Sequence, residues 1–144
     1  MNGDPSYFAI LQPQLIEDEG RVNHAYHDSL GFITIGVGHL IDQRKGGKIS
    51  DAAINLIFRE DCLEDDSAAR QCYHGFDMLT DRRKAALANM AHQLGEAGLS
   101  HFTGMLAAIK AEDWQAAHDA MLDSIWAKQT PARAQRLAKA MLEG

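Results

Sequence analysis

The sequence predicts an α+β fold: a mostly helical protein with a small β-sheet lobe and a larger helical lobe joined by a long helix. Three observations carry this. The run Phe32-Ile33-Thr34-Ile35 is aromatic and β-branched and follows turn-forming residues, so it reads as a strand behind a tight turn. From Ser50 to about Tyr73 there is no Gly or Pro, and apolar residues recur at helical spacing. After Gly75 the chain is nearly all helix-forming, broken only at cap signals. With 144 residues and 46% hydrophobic content, the chain is long enough for one domain with a sizeable core. We read residues 1–144 as that domain, with the sheet lobe at about 20–60 and the helical lobe at about 75–144 plus the N-terminal helix.

The elements follow in order. A first helix is predicted over Tyr7–Glu19, its main part opened by Pro13 at the first helical position. Gly20 is the natural stop, because glycine tolerates a left-handed cap. Ala25–Val37 reads as a hairpin around Asp28-Ser29-Leu30-Gly31. Its period of two sets Ile33, Ile35 and Val37 on one face and Phe32 and Thr34 on the other. Gly46-Gly47 is a loop, and Ser50 can cap the long helix, whose apolar stripe is Ile54, Ile57, Phe58 and Cys62. Thr80 can cap a helix through Leu94. Further helices are expected at Phe102–Ala111 and Trp114–Trp126, and Thr130-Pro131 opens a last one to Leu142.

The net charge of −6 is uneven. Residues 1–66 carry 5 basic and 12 acidic side chains (5 − 12 = −7), and residues 67–144 carry 9 and 8 (9 − 8 = +1). An acidic lobe makes nucleic acid a poor partner. No apolar run approaches the roughly 20 residues that span a bilayer, so membrane insertion is not expected. The first residues are acidic and contain Pro5, without the basic and apolar regions of an export signal. Cys62 and Cys72 fall on one predicted helix, about 15 Å apart along its axis, too far for a disulfide. Free, buried thiols are expected, as suits synthesis in a reducing compartment.

Three polar residues gather in the least regular part of the chain: Glu19 at a helix end, Asp28 in a turn and Thr34 on a strand, at intervals of 9 and 6. Glycoside hydrolysis needs one carboxylic acid on the leaving oxygen and one carboxylate near the anomeric carbon. Spacing alone does not establish this, since Glu and Asp near turns are most often surface caps.

The residues around these three resemble a known pattern. Ile16-Glu17-Asp18-Glu19-Gly20, Ala25-Tyr26-His27-Asp28 and Phe32 to Leu40 are similar to the active-site stretch of phage lysozymes of the T-even type, glycoside hydrolase family twenty-four. Asn89-Met90, Gln93-Leu94-Gly95, Gly98 and Phe102-Thr103 form a second matching block, and Trp126 with Gln129 to Ala134 and Arg136 a third. The resemblance implies a muramidase acting on bacterial peptidoglycan without a cofactor. Glu19 would be the general acid, and Asp28 with Thr34 would place and activate water on the opposite face of the sugar. It implies Leu40, Gln93 and Phe102 as substrate contacts. It also implies support from Arg133, which would reach toward the glutamate, and from His39 paired with Asp61. A monomer is expected, made in a host cytoplasm and reaching the wall after release through a holin. His92, Met105 and Ala120 depart from the pattern: the first stands in place of a cleft aromatic, the others in place of polar substrate contacts.

Other constellations are weaker. His24, His27 and His39 lack a fourth partner for a metal, so none is expected. Ser29 beside His27 has no orienting group for nucleophilic catalysis. The acids Glu60, Asp61, Glu64, Asp65 and Asp66 lack the glycine of a calcium loop and read as a solvated helix face. Trp114 and Trp126 read as core. Two rival functions are a lytic transglycosylase, which needs one glutamate only, and a wall-binding module without turnover.

Overall fold

A computed structural model describes residues 5, 8–27, 29–41 and 49–144. The chain divides into two compact units, Met1–Ile54 and Asn55–Gly144. Among the described residues the architecture is α+β, with a three-stranded antiparallel sheet and a predominance of helix.

The first unit opens with α1, Phe8–Glu19. Pro13 lies inside this helix rather than at its start, which corrects the sequence expectation. The first turn is begun further upstream, where the Phe8 amide donates to the Pro5 carbonyl at 2.9 Å. Gly20 ends the helix as expected, with φ +73°. Next come β1 (Val22–His27), β2 (Ile33–Gly36) and β3 (His39–Leu40), in the spatial order β1-β2-β3. The third strand is an addition to the expected hairpin. Val37-Gly38 turns the chain tightly enough for Ile35 to pair with His39 and Thr34 with Leu40. Glycine suits this turn, since Gly36 and Gly38 take φ +69° and +66°. On the central strand the buried residue is Thr34, 4% exposed, while Ile33 on the other face is 36% exposed.

The long helix α2 (Asp51–Cys72) starts where predicted, with the Ala53 amide donating to Ser50 Oγ at 3.2 Å. Its expected apolar stripe is not a core face: Ile54, Ile57, Phe58 and Cys62 are exposed. The helix meets the core of the second unit only near its end, where Ala69 is fully buried and Ala68 and Cys72 pack beside it. The cysteines are free, but Cys62 is exposed and Cys72 half-buried, so the expectation of two buried thiols fails.

The second unit continues through a 3₁₀ turn (Phe76–Met78) to α3 (Asp81–Ser100), α4 (Thr103–Lys110), α5 (Trp114–Leu122), α6 (Ile125–Gln129) and α7 (Pro131–Glu143). Thr80 caps α3 by accepting from the Arg83 amide. The helical run passes beyond Leu94 because Gly95, at φ +67°, kinks it without ending it. The single helix expected over Trp114–Trp126 is two. Asp113 caps α5, and Ser124 caps α6 by accepting from the Ala127 amide, so the chain breaks between them. Thr130 holds the N-cap position of α7 but makes no side-chain cap bond; its hydroxyl donates to the Trp126 carbonyl, while Pro131 opens the helix.

The core lies among α3, α4, α5 and α7. Four of its seven largest fully buried side chains are Met90, Met105, Met121 and Met141, with Leu87, Leu99 and Ile109 between them. Unbranched methionine fills the irregular gaps left by short, differently angled helices. α7 contributes Ala134, Leu137, Ala138 and Met141, the i, i+3, i+4, i+7 pattern of a one-faced helix. Its end is held by Arg83, which donates to the Met141 and Leu142 carbonyls at 2.9 and 3.3 Å and stacks 3.6 Å over Trp114. Among the described residues no helix is long and apolar enough to cross a membrane.

Candidate active site

In the first unit, α1 delivers Glu19 as its last residue. The Glu19 side chain lies across Gly38: a Cβ built there would sit 2.9 Å from Oε2 and 3.1 Å from Cγ. Only glycine leaves that space, and only glycine takes its positive φ without strain. The turn between β2 and β3 therefore forms a seat for this carboxyl group. On the central strand β2, Thr34 pairs with Tyr26 on β1 and with Leu40 on β3, so both edges of its strand are covered. Its hydroxyl donates to the Phe32 carbonyl at 3.3 Å, which leaves the oxygen lone pairs as acceptors. Asp28 lies outside the described residues; the turn that follows it runs through Ser29 and Leu30 to Gly31, at φ +83°. His39 is exposed on β3 and Leu40 half-buried.

The remaining predicted residues belong to the second unit. Arg133 Nε donates to Asn89 Oδ1 at 2.8 Å, and its Nη2 donates to the Asn89 carbonyl at 3.0 Å, which ties α7 to α3. Gln93 Oε1 accepts from Trp126 Nε1 at 2.8 Å. Phe102 meets the same indole edge-on, with ring centroids 6.0 Å apart. Trp126 is thus core, as expected, and also orients the two predicted substrate contacts. Phe102 and Trp126, with Leu94 and Met105, line a cavity of about 550 Å³. Asp61 is half-buried on α2.

Sequence reasoning missed two polar pairs. His92 Nδ1 lies 2.8 Å from Asp65 Oδ2, joining α3 to α2. Asp65 belongs to the acidic run that the sequence predicts as a solvated face, yet its side chain is only 18% exposed. Position 92 was marked by its departure from the family aromatic, but 27 residues separate the partners, so no local spacing pointed to the pair. Asn89 and Arg133 are 44 apart and hidden in the same way.

Comparisons with known proteins place the chain among relatives of known description. The chain is 30% identical to the pre-baseplate central spike protein Gp5 of Enterobacteria phage T4, a match covering 93% of this chain but 28% of that protein. It is 30% identical to probable T4-type lysozyme 2 of Dictyostelium discoideum, covering 88% of this chain and 90% of that one. Probable T4-type lysozyme 1 of the same organism is 26% identical, over 93% and 94%. The model of the phage lysozyme family matches residues 16–140, and the chain belongs to that family.

Proposed function

We propose that this chain is an endo-acting muramidase, one catalytic domain over residues 1–144. It would hydrolyse the β-1,4 bond between N-acetylmuramic acid and N-acetylglucosamine in bacterial peptidoglycan, lysing the wall. The observation that carries the reading is the Glu19 carboxyl at the end of α1, seated on Gly38 beside the strand that holds Thr34. Family membership supplies the substrate class.

In this reading Glu19 is the general acid. Its proton passes to the glycosidic oxygen as the bond from that oxygen to the anomeric carbon breaks. A water held by the Asp28 carboxylate and the Thr34 oxygen attacks the anomeric carbon from the opposite face, and its proton passes to Asp28. The product inverts, and the two carboxyl groups would stand roughly 6.5–9.5 Å apart to admit that water. Leu40, Gln93 and Phe102 contact the glycan. Arg133 supports the acid, and His39 with Asp61 supports the framework. No step requires a cofactor.

The test is mass spectrometry of products released from purified peptidoglycan, with and without borohydride reduction. Reducible muramic acid ends are expected, lost in Glu19→Gln and strongly diminished in Asp28→Asn, with both variants folded. Non-reducible 1,6-anhydro ends would identify a transglycosylase. Pelleting with the wall without release would identify a binding module.

A further inference from the structure

Where α2 ends in the helical unit, a cavity of about 410 Å³ opens between the turn after that helix and α4. Its volume lies within the roughly 300–1,000 Å³ of small-molecule sites. The floor is apolar: Cys72, Tyr73 and Leu106 line it and pack against the core from behind. The Tyr73 ring lies across Gly75, where a Cβ would sit 2.6 Å from the hydroxyl and 2.9 Å from Cε1, so the ring packs directly on the turn backbone. The Cys72 thiol donates to the Glu96 carbonyl at 3.4 Å. Burial, and after it the Glu96 charge, push this thiol up, so it stays protonated and brings no charge into the cavity. The rim holds His74 and Lys110, both exposed. The Lys110 ammonium, the Tyr73 hydroxyl and the His74 imidazole have no partner among the described residues. All three can donate, and the ammonium can only donate.

We propose that this cavity binds a small organic acid: an apolar body that carries one carboxylate. The body covers Cys72, Leu106 and the Tyr73 ring, and the carboxylate accepts from Lys110, His74 and the Tyr73 hydroxyl. One ammonium balances one negative charge. A phosphate monoester brings nearly two, and the second would stand unbalanced near the Glu96 charge that already acts on Cys72. A sugar hydroxyl would leave the ammonium unbalanced and the apolar floor bare. This cavity shares no residue with the one that Phe102 and Trp126 line, so the assignment does not rest on the muramidase reading.

The experiment uses the whole chain and its own thiols. Alkylation of Cys72 by iodoacetamide reports occupancy, and Cys62, exposed on the same helix and outside the cavity, is the internal control. The probe is 2-naphthoate, with 2-naphthamide as its neutral counterpart and 2-naphthyl phosphate as the dianion; each Kd is taken from the NMR shift of the Leu106 methyls. At ten times its Kd, 2-naphthoate should slow Cys72 alkylation about tenfold, the inverse of the unoccupied fraction, and leave Cys62 unchanged. Lys110→Met keeps an apolar stem and removes the charge. It should weaken 2-naphthoate about tenfold, the scale of one charge-assisted hydrogen bond, and leave 2-naphthamide unaffected. Unchanged alkylation of Cys72 would overturn the proposal, as would parallel protection of Cys62. Equal affinity for the amide, tighter binding of the phosphate, or undiminished binding of 2-naphthoate by a folded Lys110→Met would overturn it too.

Discussion

Replacing Gly38 by alanine separates the seat of Glu19 from the stability of the turn that forms it. Two consequences can be read from the structure. The backbone at Gly38 has φ +66°, where a Cβ costs about 1–2 kcal/mol. For a chain of this length that corresponds to a fall in Tm of about 3–8 °C. The new Cβ would also lie 2.9 Å from Glu19 Oε2 and 3.1 Å from Cγ. Reaching an ordinary contact requires the carboxyl to move by about 0.5 Å, at little energetic cost because the side chain is flexible. In the proposed mechanism, a general acid displaced on that scale loses alignment with the leaving oxygen. A 1 Å misplacement costs on the order of a hundredfold, so about tenfold in kcat is expected, with KM nearly unchanged. Gly36→Ala is the control: its φ is +69°, and nothing lies within 4 Å of the added Cβ. Both variants should lose similar Tm in a thermal scan, and only Gly38→Ala should lose kcat when release of reducing ends is followed. Equal kcat in the two variants would refute the claim that this turn holds the acid.

Arg83→Ala removes two hydrogen bonds to the end of α7 and the stack on Trp114, so a loss of about 2–4 kcal/mol is expected in urea unfolding, and a loss below 1 would contradict that role. Arg70 donates to Asp77 and Asp66 at 2.6 Å and holds the Asp77 carboxyl below its ordinary range. The folded value is depressed, so the pairing contributes above the unfolded carboxylate range and is lost as pH falls through the folded midpoint. Arg70→Ala should raise the Asp77 midpoint in an NMR titration, while stability changes little because the pair is exposed. Cys62 should be alkylated faster than Cys72, by peptide mapping after brief treatment, because burial and the nearby Glu96 charge push the Cys72 thiol up.

How much was legible in the sequence follows from how local each cause is. Caps are interactions across three residues, so Ser50, Thr80, Gly20 and the proline at the start of α7 were placed correctly. Pro13 shows the limit of the same reasoning: a proline allowed at the first helical position is found inside α1. Position-local motifs also marked Glu19, Asp28 and Thr34 as the residues to weigh, with a family pattern of matching type and spacing.

What the sequence determined by itself was the order of most elements, though neither β3 nor the break between α5 and α6, together with the α+β class and the family, since these rest on periodicity, turn chemistry and short motifs. Only the tertiary structure decided which partners those residues meet. Residues distant in the chain become neighbours through packing, and local patterns do not encode that. Gly38 under Glu19, Asp65 behind His92, and Asn89 holding Arg133 are all of this kind. So is the fate of α2, whose apolar stripe fulfils the period of a buried helix while the core reaches it only at Ala69. A helix turns its face by its own repeat, but burial depends on what else arrives there.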